Sequence, residues 1–251
     1  MARSAPLTKM QAPYLKRVWL DEKCDFDRSV YPFCLPLFKD GDFSLEFDTP
    51  VTIIVGENGV GKSTILEGIA AVAGYDEAGG GFRYKPVDHA SAVETMGRDL
   101  AKALRASWLP KVMRGWFFRA ETFFSVARYL DESFLIPPDY LSHSHGEGFL
   151  RFFEERCTRQ GLYIFDEPES ALSPTRQIDF LKLLRKMDHS GSCQVIMATH
   201  SPILMAYPGA RLLSLTKYGL EPIALEQTQH FRLLREFCLG PDLFIETMLD
   251  E

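Results

Sequence analysis

The sequence predicts an α/β fold, with a mainly parallel core sheet flanked by helices. Three observations point to it. The apolar run "VTIIV" at 51–55 passes into a glycine-rich loop and then into an apolar-periodic helix. The run "LYIF" at 162–165 ends in two acids. The run "CQVIMA" at 193–198 ends in "THS". Apolar runs of strand length, alternating with helical stretches, are the pattern of buried parallel strands.

Taken in order, "YLKRVWL" at 14–20 reads as a strand, and "YPFCLPLF" at 31–38 as extended, because Pro32 and Pro36 argue against helix. "DFSLEFD" at 42–48 alternates with period two, as a half-buried strand does. A helix is expected from Thr64 to about Ala73, and then a flexible turn at Gly79, Gly80 and Gly81. Residues 90–107 look helical, 113–120 form a strand, and "ETFFSVARYLDES" is helical. "LIPPDYLSHSHGEG" is a loop, broken by Pro137 and Pro138, and "FLRFFEERC" is a helix. A helix at about 174–189 precedes the third apolar run. "ARLLSLT" and "LEPIALE" resemble a terminal hairpin, and two helical stretches close the chain. The organisation expected is one domain over 1–251. Its N-terminal antiparallel β region covers about 14–55, and a small helical lobe is inserted at about 82–148.

Composition narrows the class. An apolar fraction of 46% is ample for a core, and no run of 18 apolar residues occurs, so no membrane span is expected. The N-terminus lacks an apolar segment of the kind a secretory signal needs. Five scattered cysteines without C-x-x-C spacing fit free thiols in a reducing cytoplasm. A net charge of −6 gives no support for broad nucleic-acid binding, and the basic run Lys102, Arg105, Lys111, Arg114 and Arg119 reads most simply as a solvated face.

The chemistry starts at "GENGVGKST". Gly56, Gly61, Lys62 and Ser63 match G-x-x-x-x-G-K-[ST], the Walker A phosphate loop. Its glycines let successive backbone N–H groups face one anion, and the following helix turns its positive end to the phosphates. The candidate nucleotide cradle is therefore Gly56, Glu57, Asn58, Gly59, Val60, Gly61, Lys62, Ser63 and Thr64. Lys62 would reach the β- and γ-phosphates, and Ser63 would place its hydroxyl on Mg²⁺. "LYIFDE" has the Walker B pattern: Asp166 is a candidate Mg²⁺ ligand and Glu167 a candidate general base for water. Adjacent Asp and Glu can also be a mere solvated strand end. The absence of N-K-x-D counts against a GTPase.

The stretch "DEPESALS" at 166–173 resembles the D-loop of ABC-class ATPases, with Ser173 where Asp is usual. "IMATHS" resembles their switch-histidine strand, which would set His200 against the γ-phosphate. In "LSHSHGEGFLRFFEERC", Ser144, His145, Gly146 and Glu147 align with the S-G-G-Q signature core, and His145 departs from the usual glycine. "WFFRAETFF" resembles a Q-loop, with Glu121 in the Gln position; the lesser alternative is a purely structural ion pair between Arg119 and Glu121. His143 and His145 lack further ligands at metal-site spacing.

Together these motifs make the chain resemble a stand-alone ABC-class P-loop ATPase of the SMC/RecF-like, OLD-like branch, over nearly its whole length. The resemblance implies an ATP phosphohydrolase that uses ATP and Mg²⁺. It also implies a head-to-tail homodimer when ATP is bound, in which Ser144 and Gly146 of one protomer reach the partner's nucleotide. Such a dimer would act as a switch or motor for an effector protein. Nucleic acid enters as a partner by family analogy alone. The alternatives are a slow nucleotide-gated signalling module in DNA repair or phage defence and, disfavoured by the short insert, a transporter ATPase subunit.

Overall fold

A computed structural model describes residues 10–39, 41–76, 79–82, 96–123, 145–157 and 159–250; at 96–98 and 145–146 it describes the backbone alone. Among them lie a seven-stranded main sheet and a three-stranded sheet. The strands are β1 Leu15–Leu20, β2 Ser44–Glu46, β3 Val51–Val55, β4 Gly80–Gly81, β5 Leu104–Trp108, β6 Gly115–Arg119, β7 Gly161–Asp166, β8 Cys193–Ala198, β9 Arg211–Thr216 and β10 Gly219–Pro222. The helices are α1 Pro36–Lys39, α2 Lys62–Ala73, α3 Met96–Ala103, α4 His145–Arg156, α5 Pro174–His189, α6 Pro202–Met205, α7 Gln229–Leu239 and α8 Pro241–Leu249.

The main sheet runs β10-β9-β3-β8-β7-β6-β4. Its five central strands are parallel, and the two edge strands are antiparallel to their neighbours. Every residue of β3, β7 and β8 is buried, as expected of strands covered on both faces. Side-chain alternation sorts them into two cores. Ile54, Leu162, Ile164 and Ile196 meet Ile65, Leu66 and Ile69 of α2 on one face. Ile53, Phe165 and Val195 meet Phe149, Phe153 and Phe180 of α4 and α5 on the other. The second core is dense in aromatic pairs: Phe118 stacks on Phe165 at 4.9 Å, and Phe153 meets Phe165 edge-on at 5.1 Å.

The small sheet has the order β2-β1-β5, all antiparallel. Gln194, fully buried on β8, ties it to the main sheet. Its Oε1 accepts from the backbone N–H of Tyr14 and of Leu15, both at 2.8 Å, and its Nε2 donates to the Leu15 carbonyl at 2.9 Å.

Several sequence expectations change. Residues 36–39 are a helical turn, because Pro36 stands at its first position, where a missing N–H costs nothing. Gly80 and Gly81 pair with Phe117 and Trp116 as an edge strand rather than forming a loose turn. The helix expected over 90–107 ends at Ala103, and 104–108 pairs with β1, so within the described residues the insert is not purely helical. Strand β6, inside the same segment, belongs to the main sheet. Strand β3 does as well, so the N-terminal antiparallel region stops short of it. His145–Gly148 lie inside α4 rather than in a loop. The helix expected over "ETFFSVARYLDES" lies, beyond Phe123, outside the described residues.

Candidate nucleotide site at the sheet edge

Strands β3, β8, β7 and β6 are adjacent and parallel, so their C-terminal ends open on one edge, the usual place for a ligand in an α/β sheet. The register aligns Ile54 with Ala198, Ala198 with Asp166, and Asp166 with Arg119. The loop at 56–61, Asp166, His200 and Glu121 therefore emerge side by side.

Gly61 caps α2 with φ 103°, a left-handed conformation that suits glycine, and no side chain caps the helix. A Cβ placed on Gly59 would meet nothing within 4 Å, so the cradle is open there. Lys62 is buried, and its Nζ donates to the carbonyls of Gly56 at 2.9 Å and Glu57 at 3.0 Å. Burial lowers its pKa, against the pull of Glu167 and Asp166. Ser63 Oγ donates to Asp166 Oδ1 at 3.1 Å, across 103 residues of sequence. Burial pushes the Asp166 carboxyl up to about 6, although Arg119 and Ser63 favour its ionised form. Arg119 lies 2.8 Å from Glu67 and 3.6 Å from Asp166. The ion pair weighed as an alternative for Arg119 and Glu121 is long, 3.5 Å, and Glu121 is 83% exposed.

Glu167 has φ 48°, the one left-handed non-glycine residue among those described, and its N–H donates to the Ala198 carbonyl at 3.0 Å. Such backbone strain gathers at functional sites. It turns the Glu167 carboxylate toward His200, whose Nε2 is 3.3 Å from Glu167 Oε1. The His200 backbone N–H donates to Glu169 Oε1, and His200 Nδ1 lies 2.9 Å from His230 Nε2. Burial lowers the His200 pKa, and the Lys62 charge adds to that.

The sequence missed three contacts. Glu169 and His230 hold His200, and the Tyr31 hydroxyl makes a short hydrogen bond with Thr64 Oγ1, so an N-terminal aromatic adjoins the phosphate loop. Glu169 was legible in "DEPES" as a third acid; His230 and Tyr31 carry no motif. Of the signature residues, Ser144 lies outside the described residues. Gly146 is in the first turn of α4, and Glu147 pairs with Arg176 of α5. The basic run is dispersed: Lys102 pairs with Asp99, Arg105 with Asp21, and Lys111 lies over Trp108.

An implied Mg-ATP fits these residues. Lys62 lies against the carbonyls of the glycine loop at a helix N-terminus that no side chain caps, and the Ser63 hydroxyl beside it donates to the Asp166 carboxylate. Two protein oxygens are a normal complement for Mg²⁺, which takes its other ligands from phosphates and water. Among the described residues no group of three His, Cys, Asp or Glu side chains forms a self-sufficient metal site.

Residues 33–97 match a family model described as "AAA domain", and residues 136–206 match one described as "AAA domain, putative AbiEii toxin, Type IV TA system". Between them these segments hold residues 56–64, Asp166, Glu167 and His200. No curated protein matches the sequence. Among solved structures, the SMC head domain from Thermotoga maritima is similar with a TM-score of 0.47 and 17% identity, covering 84% of this chain and 100% of that one. A chain from "an inward-facing conformation of a putative metal-chelate type ABC transporter" is similar with a TM-score of 0.46 and 18% identity, covering 76% of this chain and 79% of that one. The two matched segments, each about a quarter of the chain, are similar to AAA domains, and they carry the phosphate-loop pattern on a mostly parallel α/β sheet.

Proposed function

We propose that the chain binds Mg-ATP at 56–64 and hydrolyses it to ADP and phosphate. The observation that carries this reading is the Ser63–Asp166 hydrogen bond, with Lys62 on one side and the Glu167–His200 pair on the other. Lys62 would exchange its two loop carbonyls for β- and γ-phosphate oxygens. Ser63 and Asp166 would hold Mg²⁺, which when bound offsets the phosphate charge. Glu167 would accept a proton from the attacking water, while His200 steadies the γ-phosphate. Glu121, exposed at the end of β6, would sense the nucleotide at the edge of the site.

Nucleotide-driven head-to-tail dimerisation extends the proposal. Helix α4 begins within the signature segment, and head-to-tail closure would bring Ser144 and the Gly146 backbone to the partner's γ-phosphate. Such a closure would act as a switch for an effector protein. The five free cysteines fit a reducing cytoplasm, and no helix among the described residues is long and apolar enough to cross a membrane. The match to a model described by a type IV toxin–antitoxin toxin favours, as second reading, a slow nucleotide-gated module in a defence system.

Calorimetry of ATP binding to the full chain tests the site. The wild-type protein should bind Mg-ATP, and Lys62→Ala should lose tight binding; unchanged affinity in Lys62→Ala would overturn the assignment.

A further inference from the structure

The histidine that faces Glu167 is gripped from behind by a second histidine. His230 lies in the first turn of α7 and points its Nε2 at Nδ1 of His200, 2.9 Å away. The ring centroids are 4.9 Å apart and the planes are inclined by 60°, which suits an N–H···N bond rather than a stack. The start of α7 is anchored for this. Thr228 is buried, and its Oγ1 accepts from the Phe231 N–H at 3.3 Å while donating to the Leu225 carbonyl at 2.7 Å. Helix α6, which follows His200 directly, packs against α7.

Bonding rules assign the proton. Burial and Lys62 favour the neutral imidazole of His200, which carries a proton on one nitrogen only. Were that proton on Nδ1, the bare Nε2 lone pair would face the Glu167 carboxylate 3.3 Å away, acceptor against acceptor. With the proton on Nε2, Nδ1 accepts from His230 and the Nε2–H faces Glu167. His200 Nε2 is buried and makes no hydrogen bond, so a proton there is left to donate. A phosphate oxygen, which only accepts, needs that tautomer.

We propose that His230 is a positioning residue: its Nε2–H donates to His200 Nδ1, which fixes His200 as the Nε2–H tautomer and holds that proton toward the γ-phosphate. This rests on His200 being the γ-phosphate contact. His230 itself touches none of the reacting atoms, and it makes the C-terminal helices part of the site.

The test compares His230→Leu and His230→Gln in the full chain. Glutamine can place an amide N–H where the imidazole Nε2–H stood; leucine fills the space without a donor. Steady-state hydrolysis should show kcat falling by about tenfold in His230→Leu, the scale of one net hydrogen bond, with KM for Mg-ATP little changed. His230→Gln should recover most of the loss. In a His200→Ala background His230→Leu should add nothing, because the two side chains act as one unit. Nitrogen-15 NMR of the imidazole rings in nucleotide-free protein should find His200 as the Nε2–H tautomer in the wild type and in His230→Gln, and as a tautomer mixture in His230→Leu. An Nδ1–H tautomer in the wild type, a wild-type kcat in His230→Leu, or equal losses in both variants would overturn the proposal. If His200→Ala keeps wild-type turnover, the γ-phosphate role of His200 is what fails, and the ring spectra still decide whether His230 sets the tautomer.

Discussion

At the scale of residues, the site is a set of charges held in readiness by one another. Lys62 rests on its own loop carbonyls, Asp166 on Ser63 and Arg119, and His200 between Glu167 and His230. Asp166 is the most burdened, because burial raises its carboxyl to about 6. The protonated acid cannot ligate a cation, so Mg²⁺ affinity should fall as pH drops through about 6 and be retained above it. Calorimetric titrations of Mg²⁺ into the ATP-loaded protein at pH 5 and pH 8 check the sign. The expected result is weaker binding with proton uptake by buffer at pH 5, and a pH-independent affinity would contradict it. Lys62, Ser63, Asp166 and Glu167 were legible because their spacing obeys the chemistry of a phosphate loop and a strand end. His230 was not, because its role depends on a tertiary contact across 30 residues and on no local pattern.

At the scale of elements, β7 does two jobs. Its end presents Asp166, and its Phe165 fills the aromatic core between the sheet and α4 and α5. Phe165 is completely buried among Phe118, Phe153 and Phe180, so Phe165→Ala opens a cavity that rigid neighbours cannot close. A loss of about 3–5 kcal/mol is expected from such truncations, to be read from the denaturant midpoint at unchanged slope. A loss below about 1 kcal/mol, the range of tolerated core swaps, would show that the cluster is loosely packed. The three buried parallel strands were legible as continuous apolar runs. Strand β5 was not: "LRASW" continues the composition of α3, and only its pairing with β1 turns it extended. Likewise Gly80 and Gly81 have little strand propensity, and it is the β6 edge that recruits them.

At the scale of the whole molecule, one sheet edge gathers residues from both matched segments, so neither half of the sequence contains a site alone. The α/β class and the parallel sheet follow from the sequence, whereas the way the small sheet is tied to the main one depends on the buried Gln194 bridge, a lone polar residue in an apolar run. A hydrolysis-blocked protein should reveal the assembly. Glu167→Gln in saturating Mg-ATP should scatter light as a dimer, and adding Ser144→Arg should return it to a monomer. A persistent monomer of Glu167→Gln would contradict the head-to-tail closure without touching the nucleotide site. The proposed chemistry at this edge is ATP hydrolysis with Glu167 as the base. Phosphate release by the wild-type protein and by Glu167→Gln, at ATP occupancy matched by calorimetry, tests it most directly. The wild type should turn over measurably and the variant should lose about 10²- to 10⁴-fold, the usual cost of removing a general base, with ATP still bound. Equal rates in the two proteins, or no turnover in the wild type, would contradict it.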